Sequence, residues 1–200
     1  MASGVEWLQE GAQLRSGETV AILGTSRMGV ATALVALHMG ASQVVMCGDP
    51  RGVDAIKLAR QIGAEVRGAP VESNSDESFD VVVVVTEAPV EYVAAAVAMA
   101  APLGRVILAC TSTSPSGIVP EAVRRKGLTL KGGRGASAPS LARAVDIVVL
   151  ERERMLNSDG ELHTFEEAEG ILSGLLDKGV ARGAHVVITD RIDEGRDSDA

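Results

Sequence analysis

Aromatic residues are scarce in this chain: one Trp, one Tyr and two Phe among 200 residues. Proteins that grip single-stranded nucleic acid stack bases on aromatic side chains, so that class is excluded. Positive charge is also short. Nineteen Lys and Arg stand against 27 Asp and Glu, a formal net charge of −8. A general polyanion binder needs the opposite balance, in clusters, so nucleic acid is not an expected partner. The two cysteines, Cys47 and Cys110, each lie in an apolar run with no His or Cys neighbour at ligand spacing. No zinc site is therefore expected in this chain, and buried reduced thiols fit a cytoplasmic protein. Long apolar blocks are missing too. Met1 to Leu14 alternates polar and apolar residues, which argues against a secretory leader. The greasiest stretch, Val81–Val85 and then Val93–Leu103, is broken by Thr86, Glu87, Pro89 and Glu91. It is a buried strand and a helix rather than a membrane span.

What is present is a chain that is 46% hydrophobic, enough to bury the core of one domain with an extra element or two. Short apolar runs alternate with helical patterns. Strands are predicted at Val20–Leu23, Gln43–Cys47, Ala64–Arg67, Val81–Val85, Arg105–Cys110 and Leu128–Lys131. Helices are predicted at Gly29–Met39, Val53–Ile62, Val90–Ala101, Pro120–Lys126 and Pro139–Glu151. Val81–Val85 is apolar without alternation, the pattern of a parallel strand covered on both faces. Strand–helix alternation at this rhythm gives a parallel sheet with right-handed crossovers. The expected fold is α/β: a doubly wound six-stranded parallel sheet in three α/β/α layers.

Both ends fall outside that scheme. Residues 4–14 predict a short amphipathic helix. Residues 162–190 predict a strand at Leu162–Phe165, a helix from Glu166 to Leu176 and a strand at His185–Thr189. The expected division is a linking helix at 1–17, the sheet domain at 18–160, a returning helix and strand at 161–190, and a charged, disordered tail at 191–200.

The most informative stretch runs Thr19-Val20-Ala21-Ile22-Leu23-Gly24-Thr25-Ser26-Arg27-Met28-Gly29-Val30. An apolar run breaks on Gly24, and Gly29 opens an alanine-rich helical pattern. In doubly wound folds this strand–turn–helix corner holds a dinucleotide diphosphate. Gly24 permits the tight turn and Gly29 lets the helix pack close on the strand. Main-chain N–H groups at the helix start then face the phosphates with the positive end of the helix dipole. The middle glycine of G-x-G-x-x-G is Ser26 here. Its hydroxyl is available to a phosphate oxygen, while its Cβ narrows the approach.

Further segments carry a resemblance. They are Leu14-Arg15-Ser16-Gly17-Glu18-Thr19-Val20, His38-Met39-Gly40-Ala41, Ala59-Arg60-Gln61-Ile62-Gly63-Ala64 and Gly104-Arg105-Val106-Ile107-Leu108. Leu128-Thr129-Leu130-Lys131-Gly132, His163-Thr164-Phe165-Glu166-Glu167-Ala168 and Val186-Val187-Ile188-Thr189 follow. In this order and spacing, from about Val5 to Thr189, the chain resembles the cofactor (Rossmann) domain of the medium-chain dehydrogenase/reductase superfamily, the zinc-type alcohol, sorbitol and threonine dehydrogenases. The resemblance implies an NAD(P)-binding domain whose β-rich catalytic partner domain, bearing the zinc ligands, has no counterpart in this sequence. His38, His163 and His185 are scattered and are expected to be surface or satisfied histidines. The chain alone is expected to bind cofactor with negligible turnover, and to form a homodimer through the outer strand at 128–131.

The same resemblance carries over a set of cofactor contacts. Gly24, Thr25, Ser26, Arg27, Met28 and Gly29 would cradle the diphosphate. The family's ribose-binding acid falls at Gly48, 24 positions after Gly24, with Asp49 next and Arg51 beyond. Gly48 with Arg51 suits the 2′-phosphate of NADP, whereas Asp49 repels it; the balance tips to NAD. Val85 and Thr86, then Cys110 and Thr111, end the fourth and fifth strands, and Arg134 follows the sixth beside the nicotinamide. No catalytic residue is assigned. A short-chain dehydrogenase needs Tyr-x-x-x-Lys, but Tyr92 is followed four residues on by Ala96. A methyltransferase would end in an antiparallel hairpin edge, which the last segments do not suggest. The remaining alternative is a non-catalytic module of the same fold, used for nucleotide sensing or assembly.

Overall fold

The structure, a computed structural model, describes residues 1–48, 53–70, 78–85, 89–155, 160–164, 167, 170 and 184–188. It divides into two compact units, Met1–Met155 and Leu156–Ala200.

In the first unit six strands form one parallel sheet in the order β3-β2-β1-β4-β5-β6. The strands are β1 (Thr19–Leu23), β2 (Gln43–Cys47), β3 (Glu65–Arg67), β4 (Phe79–Val84), β5 (Ala100–Leu108) and β6 (Thr129–Gly132). This is the doubly wound order, with the reversal between β1 and β4 at the sheet centre. Val81 through Val85 are fully buried, as the unalternating run predicts. Each such side chain contributes about 1.5 kcal/mol or more by leaving water.

The period of two in each strand sends residues to opposite layers. Val20, Ile22, Val44, Met46, Val81, Val83 and Ile107 join one core cluster, whose helical part comes from α2 (Arg27–His38), α3 (Val53–Gln61) and α6 (Ala138–Leu150). Ala21, Leu23, Val45, Cys47, Val82, Val84 and Val106 join the other, covered by α4 (Glu91–Met99). Two further helices among the described residues are α5 (Pro120–Lys126) and the short α7 (Arg152–Met155).

The N-terminal segment belongs to the first cluster. It begins as α1 (Ala2–Val5) and widens into a π-helical stretch at Glu6–Gly11. Val5, Trp7 and Leu8 are buried. A Cβ on Gly4 would lie 3.1 Å from Thr32 Cα on α2, so the glycine lets the two helices touch.

One junction departs from the sequence reading. The expected helix to Ala101 stops at Met99, and β5 starts at Ala100 instead of Arg105. Phe79 pairs with Ala100, yet Val81 pairs with Arg105, so the intervening residues of β5 bulge from the ladder. Leu103 in that bulge takes φ +63° and is exposed. The Lys126 ammonium donates to the carbonyls of Ala98 and Ala100 at 2.6 and 2.8 Å, closing the end of α4 as a cationic cap.

In the second unit, β7 (Gly160–Thr164) and β8 (Ala184–Ile188) pair in parallel, Gly160 opposite Ala184 and Thr164 opposite Ile188. The helix expected at 166–176 and the tail at 191–200 lie outside the described residues, apart from 167 and 170. No helix among the described residues is long and apolar enough to cross a membrane.

Candidate functional site

The carboxyl edge of the sheet is built by main-chain bonds that carry each ladder one residue past its strand. The amide of Gly24 donates to Cys47 O at 2.7 Å, Val85 to Leu23 O at 3.1 Å, Ala109 to Val84 O at 2.9 Å and Gly133 to Leu108 O at 2.7 Å. These bonds line up Gly24, Val85, Ala109 and Gly133 along one lip, at the switch point where open α/β sheets bind ligands.

At the centre of that lip β1 turns into α2. Gly24 takes φ +126°, which a side chain would resist. A Cβ on Gly29 would lie 2.5 Å from the Gly24 carbonyl oxygen, so the helix start sits directly on the turn. Ser26 is the N-cap, and its Oγ accepts from the Gly29 amide at 3.4 Å. The first intrahelical bond runs from the Val30 amide to Ser26 O at 3.0 Å. Arg27 and Met28 therefore present amides that have no intrahelical acceptor. No acid stands in this first turn, and Arg27 is exposed. Among the described residues the corner thus offers main-chain donors and a helix dipole, with no acid in the first turn, a donor set of the kind that suits an anion.

Gly48 joins the corner directly. A Cβ there would lie 2.7 Å from Thr25 Cγ2 and 2.9 Å from the Thr25 amide nitrogen. Any side chain at position 48 would therefore collide with the turn. Asp49, Arg51 and Thr86 lie outside the described residues. Val85 gives the lip only its main chain, because its side chain is in the core. Cys110 is half-buried and Thr111 exposed just past β5.

Arg134, after β6, has an exposed side chain, but its carbonyl is tied down. The indole Nε1 of Trp7 donates to Arg134 O at 2.7 Å. Glu6 continues the same anchoring. Its carboxylate accepts from the Ser137 amide at 3.0 Å and from Ser140 Oγ at 2.7 Å. The hydrogen bonds from Ser137, then Ser140, hold the Glu6 carboxyl below the usual carboxylate range. Neither residue is marked by spacing or composition, since their partners are more than 120 residues away in sequence.

At the amino edge, Glu18 meets Arg105 in a two-pronged ion pair, with Nη1 to Oε1 at 3.1 Å, while Arg105 Nε donates to Ala12 O at 2.9 Å. Burial alone would raise the Glu18 carboxyl. The hydrogen bonds from Arg105 and the Arg15 amide, with the Arg105 charge, outweigh it and hold the group low. His38 Nδ1 lies 3.0 Å from Glu151 Oε1, as a satisfied histidine should. Among the described residues no three His, Cys, Asp or Glu side chains gather where they could hold a metal ion.

No family model matches the chain. A probable alcohol dehydrogenase of Mycobacterium tuberculosis, in strains H37Rv and CDC 1551, is 31% identical over 186 residues, covering 86% of this chain and 50% of that protein. An alcohol dehydrogenase from Thermus sp. ATN1 superposes with a TM-score of 0.71 at 23% identity, covering 94% of this chain and 56% of that one. An alcohol dehydrogenase from Escherichia coli CFT073, complexed with NADH, gives a TM-score of 0.71 at 16% identity, covering 93% and 56%. The two solved structures show the fold, and the chain spans about half the length of the curated relatives it matches.

Sheet order and edge define a Rossmann-type α/β domain. With the mycobacterial sequence match, the chain is an alcohol dehydrogenase-like domain of the medium-chain dehydrogenase/reductase superfamily.

Proposed function

We propose that this chain is the NAD(P)-binding part of a zinc-type alcohol dehydrogenase-like oxidoreductase, with NAD ahead of NADP. The observation that carries the reading is the Gly24–Gly29 corner. A left-handed glycine, a helix start seated on its carbonyl and the amides of Arg27 and Met28 converge there without an acidic side chain in the turn. Those amides and the dipole of α2 would hold the diphosphate. Gly48 would lie beneath the adenosine ribose. Selection between the two cofactors then falls to Asp49, whose charge opposes a 2′-phosphate, and Arg51. Val85, Cys110, Thr111 and Arg134 would follow along the other half of the lip, and Thr86, next to Val85 in sequence, is proposed as a contact with them.

Bound nicotinamide supplies the hydride chemistry between alcohol and carbonyl. This chain's residues supply orientation and charge. A zinc Lewis acid, where the reaction uses one, comes from a partner domain. The outer strand β6, which among the described residues pairs in the sheet with β5 alone, is the proposed homodimer edge.

A second reading, a Rossmann module that binds a nucleotide weakly or not at all and senses or assembles without catalysis, is favoured by one observation: Ser26 already caps α2 through the Gly29 amide. Titration with NADH and NADPH, read by nicotinamide fluorescence, separates the two. Saturable binding in the micromolar range supports the dehydrogenase part, and no binding at millimolar cofactor supports the module.

A further inference from the structure

Trp7 is nearly inaccessible, 4% exposed, yet its one polar atom is spent on the lip of the sheet, 2.7 Å from Arg134 O. The same π-helical segment holds that loop at two more places. Lys131 Nζ, on β6, donates to Glu10 O at 3.0 Å. At the far end the Ser137 amide and Ser140 Oγ close on Glu6. Between them Gly133 hangs from Leu108 O at 2.7 Å, and a Cβ on it would lie 2.7 Å from Ala109 Cβ. One segment that precedes β1 thus fixes the start, middle and end of the loop leaving β6.

The sheet order gives that loop a role. A dinucleotide whose diphosphate sits at the β1–α2 corner lays its adenosine half towards β2, so the other half crosses β4, β5 and β6. The loop at 133–137 would then wall that second half. We propose that Trp7 is a positioning residue for the nicotinamide end of the cofactor. It fixes the Arg134 main chain, with Glu6 as a second anchor, and acts on one half of the dinucleotide only. This inference rests on the proposed cofactor reading.

The experiment compares two ligands, NADH and ADP-ribose, which shares the diphosphate and adenosine but lacks nicotinamide. Calorimetric titration of the whole chain is run for wild type, Trp7→Phe and Glu6→Ala, with thermal melting alongside. Trp7→Phe is expected to weaken NADH about five-fold, the scale of one lost hydrogen bond, and to leave ADP-ribose within about two-fold. Glu6→Ala shifts NADH in the same direction and carries the comparison if Trp7→Phe melts below the assay temperature. Equal weakening of both ligands makes Trp7 a fold residue only and overturns the inference, as does an unchanged NADH affinity. A wild-type chain that binds neither ligand removes the cofactor reading itself, and this inference with it.

Discussion

Ser26 Oγ accepts from the Gly29 amide at 3.4 Å, so the residue replacing a glycine in the turn has become the cap of the helix behind it. The hydroxyl lies where a phosphate oxygen would compete for the same first-turn donors. The long distance marks a weak cap, one that a charged acceptor can displace.

Changing Ser26 separates the two roles. Ser26→Gly costs only a few tenths of a kcal/mol in stability, whereas Ser26→Ala costs about 0.5 kcal/mol, the low end for a capping hydroxyl. Ser26→Gly also removes the Cβ at the turn and is expected to tighten NADH binding several-fold. Urea unfolding and cofactor titration check the pair.

Gly29→Ala is expected to do the reverse. Its Cβ would fall 2.5 Å from the Gly24 carbonyl oxygen. Displacing α2 from the turn costs about 1–3 kcal/mol, as overpacking does, and spoils the alignment of the amides at Arg27 and Met28. Chemical denaturation should show the loss of stability, and titration a weaker dinucleotide.

Glu18 ties stability to pH. Its carboxyl is held low in the folded chain, so its contribution is complete above the unfolded value of about 4.3 and is lost as pH falls through the folded one. Glu18→Gln should cost about 1–3 kcal/mol at pH 7, because Arg105 keeps only a neutral partner. It should also flatten the fall of the urea midpoint below about pH 4.3. An unchanged slope would show that Glu18 does not set it.

Leu103 stands at φ +63° with its side chain exposed. The left-handed conformation costs a non-glycine residue about 1–2 kcal/mol; Leu103→Gly relieves that strain in the folded chain, and the greater freedom of glycine in the unfolded chain offsets part of the gain. A rise in melting temperature of about 1–2 °C is expected for a net gain of roughly 0.5 kcal/mol.

Local chemistry made much of the fold legible. The strand Gln43–Cys47 and the helix Pro120–Lys126 stand as predicted, the helix because Pro120 opens it and Gly127, at φ +61°, closes it. The α4–β5 junction was not legible. It depends on the register of β5 against β4 and on the backbone of Leu103, neither of which has a periodic signal. Glycine spacing marked the Gly24–Gly29 corner. Counting singled out Gly48, and the structure sets it against Thr25, a contact that spacing alone does not reveal. Trp7 and Arg134 meet across 127 positions, a tertiary pairing that pattern and propensity do not encode.

The central claim is that main-chain donors at the β1–α2 corner take a dinucleotide diphosphate. Titrating the 15N-labelled chain with NADH and following its amide resonances tests it most directly. Saturable shifts are expected, concentrated on Gly24, Arg27, Met28 and Gly29. Unmoved corner resonances at millimolar NADH, in a chain whose spectrum shows it folded, would contradict it.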